Sequence, residues 1–336
     1  MNIWQIAAGD GSRDYSEAFL KYGVILIGPG NDGDYFSNRQ IYDNPSHPSY
    51  RDFFPSFAEV LKQDDLVILK RPCGDKWEFI SVGKVESDYL YMELFDDVDG
   101  WDLQHARKIR WKKPPTQTLI TGLRRGTFCG VNNNIPIEKA MEIWEQGKEI
   151  QAEELPPPAG KIDDEELIDL LIEHGLSGNN SEIITKTIWR LRRLGKWYSI
   201  HGSDIGEHEI RTFLIIPLLV ALGWPEQKIK IEWNNIDVAI FERTYLRDAR
   251  PVIIIESKRF GDGLRYAPEQ IKKYARDYPE CESLVVSDGI RYKLFERIDE
   301  EWQYVAYMNL LWPRNRHPYF KEVKGAEELF LRILPK

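Results

Sequence analysis

Apolar positions fall into short runs in the first half of the chain and recur at helical spacing through much of the second. Residues 24–28, 65–69 and 77–83 are apolar runs bounded by Gly, Pro and Asp, which predicts strands. Residues 54–62 read as a short helix between them, and a small mixed or barrel-like domain is the natural reading. Three consecutive prolines, Pro156-Pro157-Pro158, then predict an extended spacer. Beyond it, 163–174 reads as a helix that opens on acidic residues and closes before Gly175. Residues 181–194 read as a second helix. Apolar positions 214, 215, 218, 219 and 222 give a third helix over 209–224, capped by Gly223 and bent or divided at Pro217. From Ile229 the period shortens. Strands are expected at 230–233, 237–241, 252–256, 283–287 and 292–295, with a helix at 268–277. This order predicts an α/β core around a mostly buried sheet. The expected division is 1–150, a small β-rich domain; 151–160, a proline-rich linker; 161–205, a helical connector; and 206–336, the α/β domain.

Composition alters this picture little. Apolar content of 42% and charged content of 29% fit a globular chain. A net charge of −9 argues against a uniformly basic nucleic-acid coat but leaves room for local basic patches. Cys73, Cys129 and Cys281 are too few and too scattered for a disulfide framework or a cysteine zinc site, so a reducing, cytoplasmic setting is expected. The opening residues lack a basic stretch followed by an apolar run, so no signal peptide is expected. No apolar stretch approaches the roughly 20 residues of a membrane span, and no membrane partner is expected.

The chemistry concentrates at Glu256-Ser257-Lys258, after the apolar run Ile253-Ile254-Ile255. Residues two apart in a strand share a face, so Glu256 and Lys258 point one way and Ser257 the other. A carboxylate and an ammonium at the end of a buried strand are costly without a partner or a task. Asp237 opens the preceding strand, and on neighbouring strands its carboxylate can meet that of Glu256 at one cation. Phosphodiester cleavage uses such a set. A hard divalent cation polarises the phosphate and acidifies a water, Mg²⁺ is satisfied by one or two carboxylates, and a nearby lysine orients the water. A lone E-x-K triplet is usually a solvated ion pair; the ordered combination with Asp237 is more specific.

These residues resemble the PD-(D/E)xK nuclease superfamily, in particular the N-terminal nuclease domain of type I restriction-enzyme motor subunits. The likeness spans roughly 206–295. Glu207-His208-Glu209-Ile210-Arg211 is similar to the family's E-x-x-x-R helix, and 217–224 to its "PLL-x-x-LGW" ending. Asp237 matches the metal-binding aspartate and Glu256-Ser257-Lys258 the E-x-K. Gln270 and Tyr274 match a Q-x-x-x-Y helix, and Ser287-Asp288-Gly289-Ile290-Arg291-Tyr292 a "TDG-x-x-Y" turn. The resemblance implies that Asp237 and Glu256 bind Mg²⁺ (Mn²⁺ as substitute) and that Lys258 assists the water. It further implies that Glu207, rather than Glu209, and Gln270 complete the catalytic set, that Gln270 and Tyr274 sit beside the site on one helix face, and that Arg211, which pairs with a carboxylate or a phosphate, and Tyr274 contact the nucleic acid. The phosphate loop of the family's motor is missing, so no ATP-driven translocation is encoded.

Residues 1–118 resemble the EVE and PUA-like group, on Trp4-Gln5-Ile6-Ala7-Ala8-Gly9, 24–28, 80–85 and 105–111. That resemblance implies reading of a modified base, in DNA or RNA. Trp4, Tyr35, Trp77 and Trp101 are the candidate nucleic-acid-binding aromatics, set against ordinary packing by Trp and Tyr in a small β domain. Residues 105–113 alternate basic and apolar positions, as an edge strand facing phosphates would. Residues 186–197 are basic with interleaved Trp and read either as a phosphate track or as a solvated amphipathic helix.

The expectation is a Mg²⁺-dependent DNA endonuclease directed by an N-terminal reader, acting in modification-dependent restriction or phage defence. Cutting both strands with one site per chain favours a homodimer or a transient pairing. The rival expectations are a nucleic-acid or nucleotide sensor built on an inactive nuclease fold, and an RNA-directed nuclease.

Overall fold

Two sheets, each with its own helices, organise the computed structural model, a mixed α/β protein. It describes residues 1–9, 13–43, 53–201, 205–244, 250–261, 263–264, 272–273, 276–299 and 301–335. The chain divides into two units between Pro157 and Pro158, within the proline run.

The first unit holds β1 (Ile3–Ala7), β2 (Val24–Ile27), β3 (Leu66–Cys73), β4 (Lys76–Val85), β5 (Leu90–Tyr91), β6 (His105–Lys113), β7 (Thr118–Ile120), β8 (Phe128–Gly130) and β9 (Lys148–Glu149). Helices α1 (Ser16–Lys21) and α2 (Asn134–Gln146) accompany them. The main path of the sheet runs β2-β6-β4-β3-β1-β8. β1 and β3 are parallel, whereas β6 pairs antiparallel with β2 through its first half and with β4 through its second. One strand serving two partners along its length curls the sheet. β6 is therefore interior, which corrects the expected edge strand. Its Arg107 is 2% exposed and donates to the carbonyls of Phe57, Ala58 and Ser87. On the other side of β6, Arg110 pairs with Glu86 and Lys112 lies over the Trp144 ring. Alternation came from burying one face of an inner strand and matching charge on the other.

The second unit contains α3 (Asp164–Glu173), α4 (Gly178–His201) and a helix α5 made of Glu207–Ile210, a widened turn Arg211–Ile215, and Ile216–Ala221. Strands β10 (Ile229–Trp233), β11 (Ile236–Phe241), β12 (Pro251–Ser257), β13 (Ser283–Ser287), β14 (Arg291–Ile298) and β15 (Glu301–Asn309) follow, then α6 (Ala326–Ile333). The strands lie side by side in chain order, with β12 and β13 parallel and all other neighbours antiparallel. Val238, Ile240, Ile253, Ile255 and Val285 face a core built with Leu167, Ile188, Leu214 and Phe330 of the helices. Ala239, Phe241, Ile254, Leu284 and Val286 fill the opposite face. Burial on both faces explains the unbroken apolar runs of β12 and β13.

Helices α3 and α4, expected as a connector, share this core. α3 starts where its cap dictates: Asp163 accepts from Glu166 N at 2.9 Å, and Glu166 returns a bond to Asp163 N at 3.1 Å. Such a reciprocal box satisfies two otherwise orphaned donors. Among the described residues no helix is long and apolar enough to cross a membrane.

Candidate active site

The site forms at the carboxyl end of β12, where an antiparallel and a parallel neighbour diverge. β11 pairs with β12 in the register Val238↔Ile255 and Ala239↔Ile254. The ladder ends there, one residue short of Asp237 and Glu256, and the charge of Asp237 acts on the Glu256 carboxyl. On the other side Lys258 N donates to Ser287 O at 2.9 Å, which prolongs the β12–β13 pairing past the last strand residue.

Ser287 opens a tight turn whose residues are interlocked. Asp288 accepts from Ile290 N and Arg291 N and pairs with the Arg291 guanidinium, while Ser287 Oγ accepts from Gly289 N. Gly289 has φ +86, and a Cβ there would lie 2.5 Å from Leu214 Cβ. Only glycine allows this turn to touch α5.

Arg211 enters from the other layer. Pro217 lacks the N–H that would continue an α-helix, and its ring crowds the preceding turn. The helix widens over Arg211–Ile215, immediately before Pro217. This is how the expected break at Pro217 is realised, and the widened turn begins at Arg211. That side chain is 7% exposed. Its Nη1 donates to Asp237 Oδ1 at 2.8 Å and Ser257 Oγ at 3.0 Å, and its Nη2 donates to Glu232 Oε1 at 2.7 Å. Asp237 Oδ2 accepts from both the N–H and the hydroxyl of Ser257, each at 2.8 Å. Of the two partners expected for Arg211, the structure contains the carboxylate.

Glu256 is 4% exposed. Lys258 Nζ donates to its Oε1 at 2.7 Å; Oε2 has no hydrogen-bond partner among the described residues. Burial first, then the charges of Asp237 and Glu207, push its carboxyl up to about 7 against the pull of Lys258. For Lys258, burial disfavours the ammonium, but Glu256, Glu207 and Asp237 together outweigh it and raise the pKa. The lysine stays protonated.

Glu207 thus acts electrostatically on both members of the pair. Glu209, its rival, folds back to accept from Gly206 N at 2.9 Å and serves as a helix cap. Gln270 and Tyr274 lie outside the described residues.

Among the described residues no three His, Cys, Asp or Glu side chains converge as a metal cluster. Mg²⁺ needs only one or two carboxylates and keeps its waters. The buried Glu256 carboxyl, on which the charges of Asp237 and Glu207 act, supplies the hard oxygen donor that a divalent cation takes.

Two participants escaped the sequence reading. Ser257 is the link between Asp237 and Arg211, and Glu232 is the second anchor of Arg211. Face alternation in β12 already aimed Ser257 at the helical layer, where the only missing information was which helical residue waits there. Glu232, on a neighbouring strand, left no such signal.

The four aromatic candidates of the first unit do not converge. Trp4 lies in the core, stacked on Phe128 at 5.1 Å, with its indole N–H on Asp65. Tyr35 is fully buried and donates to Glu59 at 2.8 Å. Their polar atoms are satisfied within the unit, and both side chains pack its interior. Trp77 carries the buried Lys70 ammonium 3.9 Å from its ring centroid. Trp101, 40% exposed, lies beneath the Arg13 guanidinium and helps line a cavity of about 150 Å³ with Tyr15 and Leu103.

Residues 4–127 match a family described as a domain of unknown function (DUF8426). No curated protein matches the chain. The family match lies within the first unit and excludes the β12 site.

Proposed function

We propose that the second unit is a Mg²⁺-dependent endonuclease of the PD-(D/E)xK type, cleaving DNA phosphodiester bonds in modification-dependent restriction or phage defence, and that the first unit is an EVE/PUA-like reader which selects the DNA. The observation that supports this most is Asp237 and Glu256 at the adjoining ends of paired strands, the charge of Asp237 acting on Glu256, with Lys258 on Glu256 and the charge of Glu207 acting on both.

Asp237 and Glu256 would hold the cation; Mn²⁺ suits the same oxygen donors. When bound, it would neutralise charge on the phosphate and acidify the attacking water. The residues of the chain do the rest. Lys258 keeps its proton and offers a positive donor beside Glu256. Arg211 and Ser257 fix the Asp237 carboxylate in one orientation, so no reorganisation is needed when substrate arrives. Glu207 tunes the protonation of Glu256.

Cleavage of duplexes bearing different cytosine modifications, with and without Mg²⁺, tests the reading. Cutting should require the metal and the modification, and both Asp237→Ala and Lys258→Ala should abolish it. Metal-dependent cutting that persists in both variants would refute the assignment.

One observation favours a second reading, a nucleic-acid or nucleotide sensor without chemistry: both oxygens of Asp237 are already engaged. Calorimetry separates the two. A sensor leaves Mg²⁺ binding absent or indifferent to Glu256→Ala, whereas a nuclease loses it.

A further inference from the structure

The solvent face of α4 is a surface feature that the candidate site does not use. Ile184, Ile188, Leu191, Gly195 and Tyr198 are its buried positions. At about 100° per residue these fall on one side of the helix. Arg193 therefore sits at the middle of the opposite side, flanked by Trp189 and Trp197, with Arg190 and Lys196 toward its two borders. Trp189 is 63% exposed and Trp197 is 52% exposed. Trp312, 52% exposed, joins from the loop after β15, with Lys196 Nζ 5.5 Å from its ring centroid.

Two features set this face apart from an ordinary solvated helix. Three indoles lie exposed, where charge alone would keep the helix soluble: Trp312 has Lys196 over its ring, Trp197 stacks on His201, and Trp189 keeps its ring open while its N–H donates to Asp164. The cations also differ in pairing. Lys186 and Arg192 are neutralised by Glu182 and Asp164, while Arg190, Arg193 and Lys196 have no carboxylate partner among the described residues. In a chain of net charge −9 this is a local reversal of sign.

The same helix reaches the candidate site. The Tyr198 ring packs on Phe260 at 5.7 Å, two residues past Lys258, and the Glu209 carboxylate acts on the Tyr198 hydroxyl. A polyanion held on the exposed face is thus held by an element that packs directly against the active-site end of β12.

We infer that this face, with Trp312, is a docking surface for DNA: the three cations meet backbone phosphates and the indoles pack on sugars and exposed base faces. The identity of the polyanion rests on the nuclease reading; the surface itself does not.

The test is binding of a fluorescein-labelled duplex by the full chain in chelator, over a range of salt. Arg190→Ala/Arg193→Ala/Lys196→Ala should weaken binding at low salt by about tenfold or more and flatten the salt slope by about 2 to 3, one increment per lost phosphate contact. Trp197→Ala should weaken binding and leave the slope intact. Lysine in place of Arg190 and Arg193 should retain binding, which separates lost charge from lost fold. A triple variant that binds DNA with parental affinity and slope overturns the inference. So does one that keeps DNA binding but loses adhesion to anionic vesicles or self-association. Hydrolysis of bis(p-nitrophenyl) phosphate by the parent chain, a diester too small to span the face, reports on the catalytic reading separately. No hydrolysis together with impaired DNA binding by the triple variant leaves the docking surface standing and removes the nuclease.

Discussion

Glu256 is pulled in two directions. Burial and the charges of Asp237 and Glu207 favour the protonated acid, and Lys258 favours the carboxylate; the balance leaves it titrating at about 7. A cation must displace that proton, so metal affinity is linked to pH. With a single competing proton, Mg²⁺ binding should be about tenfold weaker at pH 6 than at pH 8 and should level off above. Calorimetry at the two values checks this, and equal affinities would dissociate Glu256 from the metal. Arg211 acts on the other carboxylate. Arg211→Lys keeps the charge but cannot reach Asp237, Ser257 and Glu232 together. Loss of such a supporting contact typically costs about 10- to 100-fold in metal affinity. Titration of the variant against the parent should find that loss with the circular dichroism spectrum unchanged.

Two elements aim these residues. The turn Ser287-Asp288-Gly289 holds β13 against the end of β12, and the widened turn of α5 presents Arg211. They meet where Gly289 abuts Leu214. Gly289→Ala combines a left-handed backbone with a 2.5 Å approach to Leu214. It should lower stability by about 2–4 kcal/mol. A fall in the urea midpoint at constant m-value measures it, and an unchanged midpoint would show that the turn does not need glycine. The position of the α5 break was legible, because proline announces it. That the break takes the form of a wide turn starting at Arg211 was not, because it depends on where the helix must pack.

At the scale of the whole molecule, one buried group in each unit gives opposite expected responses to acid. His105 of the first unit is fully buried among Tyr42, Tyr89 and the Pro29 carbonyl. Burial pushes it down to about 4, against the raising effect of the Pro29 carbonyl. Its folded pKa lies below its unfolded value, so its stabilisation is present above about 6.5 and is lost as pH falls toward 4. Glu256 has the reverse sign: its raised pKa favours folding below about 4.5 and loses that benefit as pH rises through 7. Between pH 7.5 and pH 5 the first unit should lose, and the second gain, about 2 kcal/mol each. Hydrogen exchange resolved by segment, without metal, reads both shifts. Parallel movement of the two units would refute the assignment of these residues as the responsible groups.

The sequence by itself determined the elements whose signal is local. Apolar runs marked β2, β11, β12 and β13, the acidic cap marked α3, and the proline run marked the place where the chain divides. It also placed the candidate residues Asp237, Glu256 and Lys258 on strands, because their order and alternation can be read from neighbours in the chain. Tertiary structure decided what depends on distant partners. It made β6 an interior strand, drew α3 and α4 into the core of the second unit, buried Trp4 and Tyr35, and brought Arg211 and Glu232 to Asp237. The physical reason is range. Periodicity and capping arise from contacts a few residues apart, whereas the neighbour of a strand edge or the partner of a buried charge is chosen by packing, which a local pattern does not encode.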